Sequence, residues 1–361
     1  TSGAAAHALP EDSNAVRLYS RRLASHLMAH SHGLPDPESL LGGLLQDHRI
    51  DPCAAPLADC PHPDRTHPFA RRYLEAAYGR DTVAAVPVRP LDQVVAVSLV
   101  RNEAPFLLDW IAYHLGIGIT QFLIYAEDCS DGTEAMLDAL AERGVVTRGR
   151  VPSADGRPMR AALDDAATHP LVRRADAVVV MDVDEYINIH VGEGRLRDLF
   201  AAAGDPDLIS MTWRLFGTSG AVSFEDRPVA EQFTRAAPRR TRKPYDAWGL
   251  RTIFRREAPF NAFGPHRPRD PTGAMPRWTN GSGKQMPERY LEKGWRAAID
   301  CWGYDLVSVN HYAVRSCESY LLKQDCGGHD RAGQPDGIAF WNTYNRNDEN
   351  DPSILPRLVH G

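Results

Sequence analysis

The fold class of this chain is decided by the stretch Val178-Val179-Val180-Met181-Asp182-Val183-Asp184-Glu185-Tyr186-Ile187, residues 178–187. Its first part is a run of apolar, mostly β-branched residues, which is typical of a strand buried on both faces. Three acids then follow within four positions. Because a core excludes unpaired carboxylates, we expect these acids where the strand leaves the sheet. Open α/β sheets bind their ligands at that carboxyl edge.

Asp182 and Asp184 are candidate metal ligands. In extended backbone, side chains two residues apart point to the same side, so both carboxylates can converge on one divalent cation. Acids at this spacing also serve as caps of the next element or as solvated loop residues. The hydrophobic strand that precedes them favours the metal interpretation.

Strands and helices alternate along the middle of the chain. Strand patterns cover residues 94–100, 121–125, 144–151 and the strand that begins at 178, while helix patterns cover residues 104–115, 131–143 and 159–174. This alternation predicts an α/β fold with a doubly wound, mostly parallel sheet whose carboxyl-edge loops form the site.

The pattern changes after residue 208. Residues 209–216 predict a further strand, whereas residues 235–290 are rich in Arg, Pro, Gly and Trp and predict long functional loops. Residues 306–309 predict a late strand that leads to His311. A helix is predicted from Ser316 to about Asp325, with Ser316 as its N-cap.

The first 90 residues lie outside this alternation. Residues 11–30 carry apolar side chains at helical spacing, residues 51–68 are rich in proline, and residues 69–78 predict a second helix. We expect a helical accessory region joined to the sheet by a linker.

Composition limits the class of protein. The apolar share of 43% and the charged share of 24% are ordinary for a globular domain. The net charge of -6 argues against a nucleic-acid partner, and no apolar stretch is long enough for a transmembrane helix. The six cysteines form no C-x-x-C pair, which favours reduced thiols and a cytoplasmic location.

Polar side chains collect in three loops that follow strands, at residues 101–103, 127–133 and 182–185. The acids of the second loop, which include Asp128 and Asp131, can accept hydrogen bonds from a base or ribose, or can instead cap a turn and a helix. Three polar loops at one sheet edge, one of them with metal-competent acids, predict a nucleotide-diphosphate site.

The order of these motifs resembles the GT-A-fold glycosyltransferases of the family-2-like group and is most similar to glycosyltransferase family 92. The resemblance covers roughly residues 92–325. It is carried by residues 100–103, 109–114, Ile124-Tyr125 with 130–133, 182–186, Trp213 with Phe216-Gly217, and His311-Tyr312 with Arg315-Ser316 and Lys323.

The resemblance implies a nucleotide-sugar donor, usually linked to UDP, with Mn²⁺ or Mg²⁺ bridging its diphosphate. Asp184 would be the main metal ligand, Asp182 would contact the metal or the ribose, and His311 would close the metal shell. Neutral imidazole suits Mn²⁺, although a His in this position is also often a packed core residue.

The resemblance also assigns the remaining donor contacts. Arg101, Asn102 and Glu103 would line the nucleoside pocket together with Asp128 and Asp131. Arg315 and Lys323 would stabilise the negative charge that builds up on the departing diphosphate. They are eight residues apart, so we expect them to share one face of the predicted helix.

An inverting transferase needs a carboxylate that deprotonates the acceptor hydroxyl. Glu225 and Asp226 lie in the half expected to face the acceptor, and Asp246 is their competitor. Each of the three could equally be a surface acid.

Together, these patterns predict a metal-dependent glycosyltransferase that moves a hexose from a UDP-sugar to a glycan or small-molecule hydroxyl, with inversion favoured. The alternatives are a sugar nucleotidyltransferase, whose Gly-rich triphosphate loop is absent after residue 100, and a non-catalytic carbohydrate-binding homologue. The predicted regions are a helical accessory region and linker (1–90), a nucleotide-sugar-binding half (91–210), an acceptor-binding half with the metal-closing segment (211–328) and a C-terminal tail (329–361).

Overall fold

The computed structural model describes residues 87–151, 157–239, 248–325 and 337–358. The helices predicted at residues 11–30 and 69–78, the proline-rich linker and the candidate base Asp246 lie outside these ranges.

The described chain folds around one large β-sheet. The strands, in chain order, are β1 (Val94–Val100), β2 (Gln121–Ala126), β3 (Thr147–Gly149), β4 (Ala177–Val180), β5 (Glu185–Ile189), β6 (Leu208–Leu215), β7 (Arg235–Ala236), β8 (Leu250–Arg255), β9 (Phe260–Ala262), β10 (Arg269–Pro271), β11 (Trp278–Asn280), β12 (Val307–His311) and β13 (Glu349–Asn350). Within the described residues the main sheet has the order β3-β2-β1-β4-β8-β6-β12-β5, with β11 paired to β6. Two small sheets pair β10 with β9 and β13 with β7.

Helices flank this sheet. They are α1 (Ala104–Ile117), α2 (Thr133–Glu142), α3 (Pro158–Thr168), α4 (Pro170–Arg173), α5 (Leu196–Ala202), α6 (Val229–Gln232), α7 (Cys317–Asp325), α8 (Gly337–Tyr344) and α9 (Leu355–Leu358), and a 3-10 helix spans Glu288–Leu291. The single helix predicted over 159–174 is interrupted, because Pro170 has no backbone N–H and opens a new helix instead. The predicted cap at Ser316 is present, since its hydroxyl accepts from the backbone N–H of Ser319 at 3.1 Å.

The predicted α/β class is confirmed. β1 pairs in parallel with β2 and with β4, β2 with β3, and β6 with β12. β8 runs antiparallel to both of its neighbours, β4 and β6, and β5 runs antiparallel to β12. All residues of β1 and β4 are buried, as their continuous apolar sequences predict.

The acidic stretch after β4 differs from the prediction. The chain turns at residues 183–184 and enters β5 at Glu185, which lies across the sheet beside β12. Glu185 is fully buried, so the expectation that all three acids leave the core is wrong. The physical reason is a partner that neutralises its charge, because Arg251 contacts the Glu185 carboxylate at 2.5 Å.

β8 lies in a region that the sequence predicted as loops. Its six residues, Leu-Arg-Thr-Ile-Phe-Arg, are all buried, and the strand joins the parallel half of the sheet to β6. Arg251 and Arg255 interrupt its apolar pattern and conceal the strand. Both are tolerated inside because each meets a buried carboxylate: Arg255 pairs with Asp205 at 2.5 Å, and Arg251 pairs with Glu185.

Helix α1 packs across β5 and holds it in place. The Trp110 indole N–H donates to the carbonyl of Glu185 at 2.9 Å, and the Tyr113 hydroxyl donates to the carbonyl of Ile187 at 2.7 Å. Both aromatic side chains are buried. This contact fixes the segment that carries the acids relative to the loop that opens α1.

The C-terminal segment joins the same body. β13 pairs with β7, and Arg214 of β6 contacts Glu349 at 2.9 Å and Asp351 at 2.5 Å. No helix in the described ranges is both long and apolar enough to cross a membrane.

Candidate functional site

A cleft of about 1080 Å³ opens at the carboxyl ends of β1, β4 and β12. It brings together nine of the residues that the sequence singled out, namely Arg101, Asn102, Glu103, Asp131, Asp182, Asp184, His311, Arg315 and Lys323. Asp128, Glu225 and Asp226 do not line it. Residues that are far apart in the sequence thus share one site.

The loop after β1 forms one wall of the cleft. Asn102 has a φ of 55°, and its side-chain carbonyl accepts from the backbone N–H of Ser130 at 2.7 Å. Arg101 pairs with the exposed Asp128 at 2.6 Å. Exposed ion pairs contribute little stability, so the Arg101 guanidinium is available to an anionic ligand at low cost.

Asp131 organises the loop after β2. One carboxylate oxygen accepts from the Ala104 backbone N–H at 3.0 Å, which opens α1. The other accepts from the backbone N–H and the hydroxyl of Thr133, which opens α2. Its bonds to Thr133 are those of the turn that the capping interpretation describes, and its bond to Ala104 also ties the two polar loops together.

Asp184 is the most strongly held acid of the cleft. Its carboxylate contacts the Lys323 ammonium at 2.7 Å and lies 3.5 Å from Nε2 of His311. Burial alone would raise the pKa of Asp184, but Lys323, His311 and Arg315 together outweigh it and hold that pKa well below its usual range. Asp184 is therefore ionised across the physiological pH range.

Asp182 faces a different cation. Its carboxylate is hydrogen-bonded by Arg251, which also contacts Glu185 at 2.5 Å and the carbonyl of Pro265. Burial raises the pKa of Glu185 to about 7, and the charge of Arg251 opposes that shift. Arg251 was not predicted as a site residue, because its own charge interrupts the apolar pattern of β8; the signal available in the sequence was the strand-favouring run Thr252-Ile253-Phe254.

The two acids therefore do not converge in the way that an extended segment would allow. The turn at residues 183–184 directs Asp182 to Arg251 and Asp184 to Lys323. In the part of the chain that the structure describes, no three His, Cys, Asp or Glu side chains form a metal-binding group.

Asp184 and His311 nevertheless make a pair of metal-competent donors. Oδ1 of Asp184 is buried and has no hydrogen-bond partner among the described residues. It lies 3.5 Å from His311 Nε2, and neighbouring ligands of an octahedral ion at about 2.1 Å lie about 3 Å apart. The pair fits two positions of a Mn²⁺ or Mg²⁺ shell.

Arg315 is not on the predicted helix. It precedes α7 with a φ of 52°, so it does not share a helix face with Lys323. Its guanidinium lies 3.6 Å from the centre of the Phe106 ring and contacts Glu103 at 2.8 Å. Both cations still line the cleft.

Two of the three predicted bases, Glu225 and Asp226, do not line the cleft. Glu225 is exposed and contacts Arg227 at 3.4 Å. Burial raises the pKa of Asp226 to about 6, and its Oδ1 has no hydrogen-bond partner in the described ranges. Among the described residues of the predicted acceptor half, the acid that lines the cleft is Glu318, in the first turn of α7.

Aromatic rings form the wall beyond His311. The Trp213 ring lies 4.4 Å from the His311 ring, and the His266 ring lies 5.6 Å from Trp213 and 5.3 Å from Trp295. On the other side, the Tyr344 ring lies 5.6 Å from His311. These rings restrict water access to Asp184 and His311.

Part of the chain is similar in sequence to known proteins. Residues 92–269 match the family model described as glycosyltransferase family 92. A glycosyltransferase family 92 protein of Oryza sativa subsp. japonica is 27% identical over 161 residues, which cover 42% of this chain. One of Ricinus communis is 29% identical over 156 residues, which cover 39% of this chain. The matched segments span 26% of each of these relatives, about a quarter of their length.

Among solved structures, one that resembles the chain is residues 1–349 of S. aureus TarS in complex with UDP. The TM-score is 0.30 and the identity is 11%, with 53% of this chain and 61% of that chain covered.

Proposed function

We propose that this chain, of which residues 92–269 match the glycosyltransferase family 92 model, transfers a hexose from a UDP-sugar to a hydroxyl of a glycan or small molecule. The observation that carries the proposal is the convergence of Asp184, His311, Lys323 and Arg315 in one cleft. A metal ion and cationic side chains can each stabilise a leaving diphosphate, because its charge increases as the sugar departs.

The nucleoside lies against the loop after β1 in this proposal. Arg101 offers an accessible guanidinium, and Glu103 offers a carboxylate that is oriented by Arg315 at 2.8 Å. Carboxylates accept hydrogen bonds from ribose hydroxyls, and guanidinium groups bind phosphate in a bidentate manner. This loop thus supports the nucleotide end of the donor.

The metal position would be held by Asp184 and His311. A bound Mn²⁺ or Mg²⁺ would neutralise charge on the leaving diphosphate as a Lewis acid. Lys323 already contacts Asp184, so it lies within reach of the same anionic group. Arg315, buried and paired with Glu103, fixes a second positive charge beside it.

Inversion needs a base on the acceptor side, and two described carboxylates compete for that role. Asp226 has a pKa raised to about 6, which suits a base near neutral pH, but it does not line the cleft. Glu318 lines the cleft, and its carboxylate accepts from the backbone N–H of Phe224 at 2.7 Å.

We propose a cytoplasmic location as well, which the free thiols of Cys129, Cys301 and Cys317 support.

The test is calorimetric binding of UDP and of a panel of UDP-hexoses, with Mn²⁺ and with chelator. We expect UDP to bind in both conditions, through Arg101, Arg315 and Lys323, and more tightly with Mn²⁺. Hydrolysis or transfer should be seen for one UDP-hexose. The proposal is wrong if no uridine nucleotide binds at any metal concentration.

A further inference from the structure

The C-terminal segment, residues 337–355, supplies a wall of the donor cleft although it lies outside the matched family domain. Phe340 and Tyr344 of α8 both line the cleft. Their rings stack with centres 4.3 Å apart and planes inclined by 21°. Both side chains are half-buried, so part of each ring is open to the cleft.

Buried contacts hold this segment on the body. Arg214, which is 5% exposed, contacts Asp351 at 2.5 Å, and that carboxylate is itself 8% exposed. The Asn188 side chain donates to the Ser353 hydroxyl at 2.9 Å. Breaking a buried ion pair is costly, so the chain that follows α8 is firmly anchored.

A second contact fixes α8 against α7. The Tyr320 hydroxyl donates to the carbonyl of Gly337, and the Tyr320 ring stacks on Phe340 at 6.0 Å. Since α7 also carries Lys323, the aromatic pair keeps a fixed position relative to the cation at Asp184. The pair is therefore a preorganised part of the cleft.

The stacked rings of Phe340 and Tyr344 are suited to a sugar ring by their position and their chemistry. Tyr344 lies 5.6 Å from the His311 ring, and His311 Nε2 lies 3.5 Å from Asp184. In a donor held at Asp184, the hexose is bonded directly to the diphosphate and therefore lies next to this wall. A pyranose presents a face of C–H groups, which packs on the flat apolar face of an aromatic ring.

We propose that Phe340 and Tyr344 form a subsite that stacks on a pyranose ring, which belongs either to the donor hexose or to the acceptor. The inference rests on the proposed function for the identity of the donor. The stacking itself requires only a pyranose.

The experiment measures three ligands on the full chain: UDP, the accepted UDP-hexose and a panel of methyl hexopyranosides, the last by saturation-transfer NMR. The variants are Tyr344→Ala, Tyr344→Phe and the control Asn342→Ala, an exposed residue of the same helix that does not line the cleft. Loss of one stacking contact weakens binding about threefold to tenfold. Tyr344→Phe keeps the ring and should bind like the wild type.

If the donor hexose is the ligand, Tyr344→Ala weakens UDP-hexose by that factor and leaves UDP unchanged. If the acceptor is the ligand, both nucleotides bind unchanged and the acceptor KM rises by that factor. Unchanged UDP affinity also shows that the variant is folded.

The subsite proposal is overturned if Tyr344→Ala alters none of the methyl hexopyranosides, the UDP-hexose affinity or the acceptor KM, or if UDP weakens as much as UDP-hexose. Binding of methyl hexopyranosides that depends on Tyr344, without any binding of uridine nucleotides, would refute the proposed donor and still support the stacking subsite.

Discussion

Arg251 is the buried charge on which the acidic segment depends, and its removal is the sharpest test of the site's architecture. It is 3% exposed, contacts the fully buried Glu185 at 2.5 Å and also holds Asp182. We expect Arg251→Met to leave Glu185 buried with the Asp182 backbone N–H but without a charged partner, while Asp182, which is 42% exposed, regains water.

The magnitude follows from burial. Removal of one partner of a buried ion pair costs about 3–5 kcal/mol. For a domain of this size, about 1 kcal/mol corresponds to a shift of about 2–4 °C in Tm, so we expect Tm to fall by on the order of 10 °C. A matched control is Arg160→Met, because Arg160 forms an exposed pair with Asp164, and its loss should leave Tm almost unchanged.

The assay is urea unfolding with a double-mutant cycle. Glu185→Gln alone leaves Arg251 with Asp182, and Arg251→Met with Glu185→Gln removes both buried charges. The double variant should recover at least half of the loss, since a neutral pair carries no uncompensated charge. The reasoning is refuted if Arg251→Met costs no more than the Arg160 control, or if the double variant is as unstable as the single one.

Three further outcomes are expected. Asp184→Ala should abolish the Mn²⁺-dependent part of UDP binding in calorimetry, whereas Asp128→Ala, outside the cleft, should keep it; an unchanged Mn²⁺ effect would exclude Asp184 as a ligand. Glu318→Gln should lower kcat about 100-fold or more with unchanged UDP-hexose affinity if it is the base, and a normal kcat would return that role to Asp226 or Asp246. Because the pKa of Asp226 is raised to about 6, folding loses stability as pH rises from about 4 through 6, so Asp226→Asn should be about 1 kcal/mol more stable than wild type at about pH 8 and equal at about pH 4. An equal difference at both pH values would contradict that last reasoning.

Local pattern was sufficient for the parallel half of the sheet. β1 and β4 are continuous apolar runs, and the polar residues that follow each of them do meet at one edge. These strands can be recognised in the sequence because burial on both faces demands apolar side chains at every position. The nucleotide-binding hypothesis followed from these strands as well, because the carboxyl ends of parallel strands lie at one edge of the sheet and bring their loops together.

Residue type and spacing indicated which side chains could bind a metal ion or a phosphate, whereas the partners of those side chains depend on the complete fold. Asp182 and Asp184 are only two residues apart in sequence, yet Asp182 is held by Arg251 and Asp184 by Lys323, which is 139 positions away. Likewise, Arg214 reaches the C-terminal segment that brings Tyr344 beside His311. Such pairings depend on where the whole chain returns to the sheet. Local propensity does not encode that path, because the free energy of a buried charge depends on the partner that the completed fold places against it.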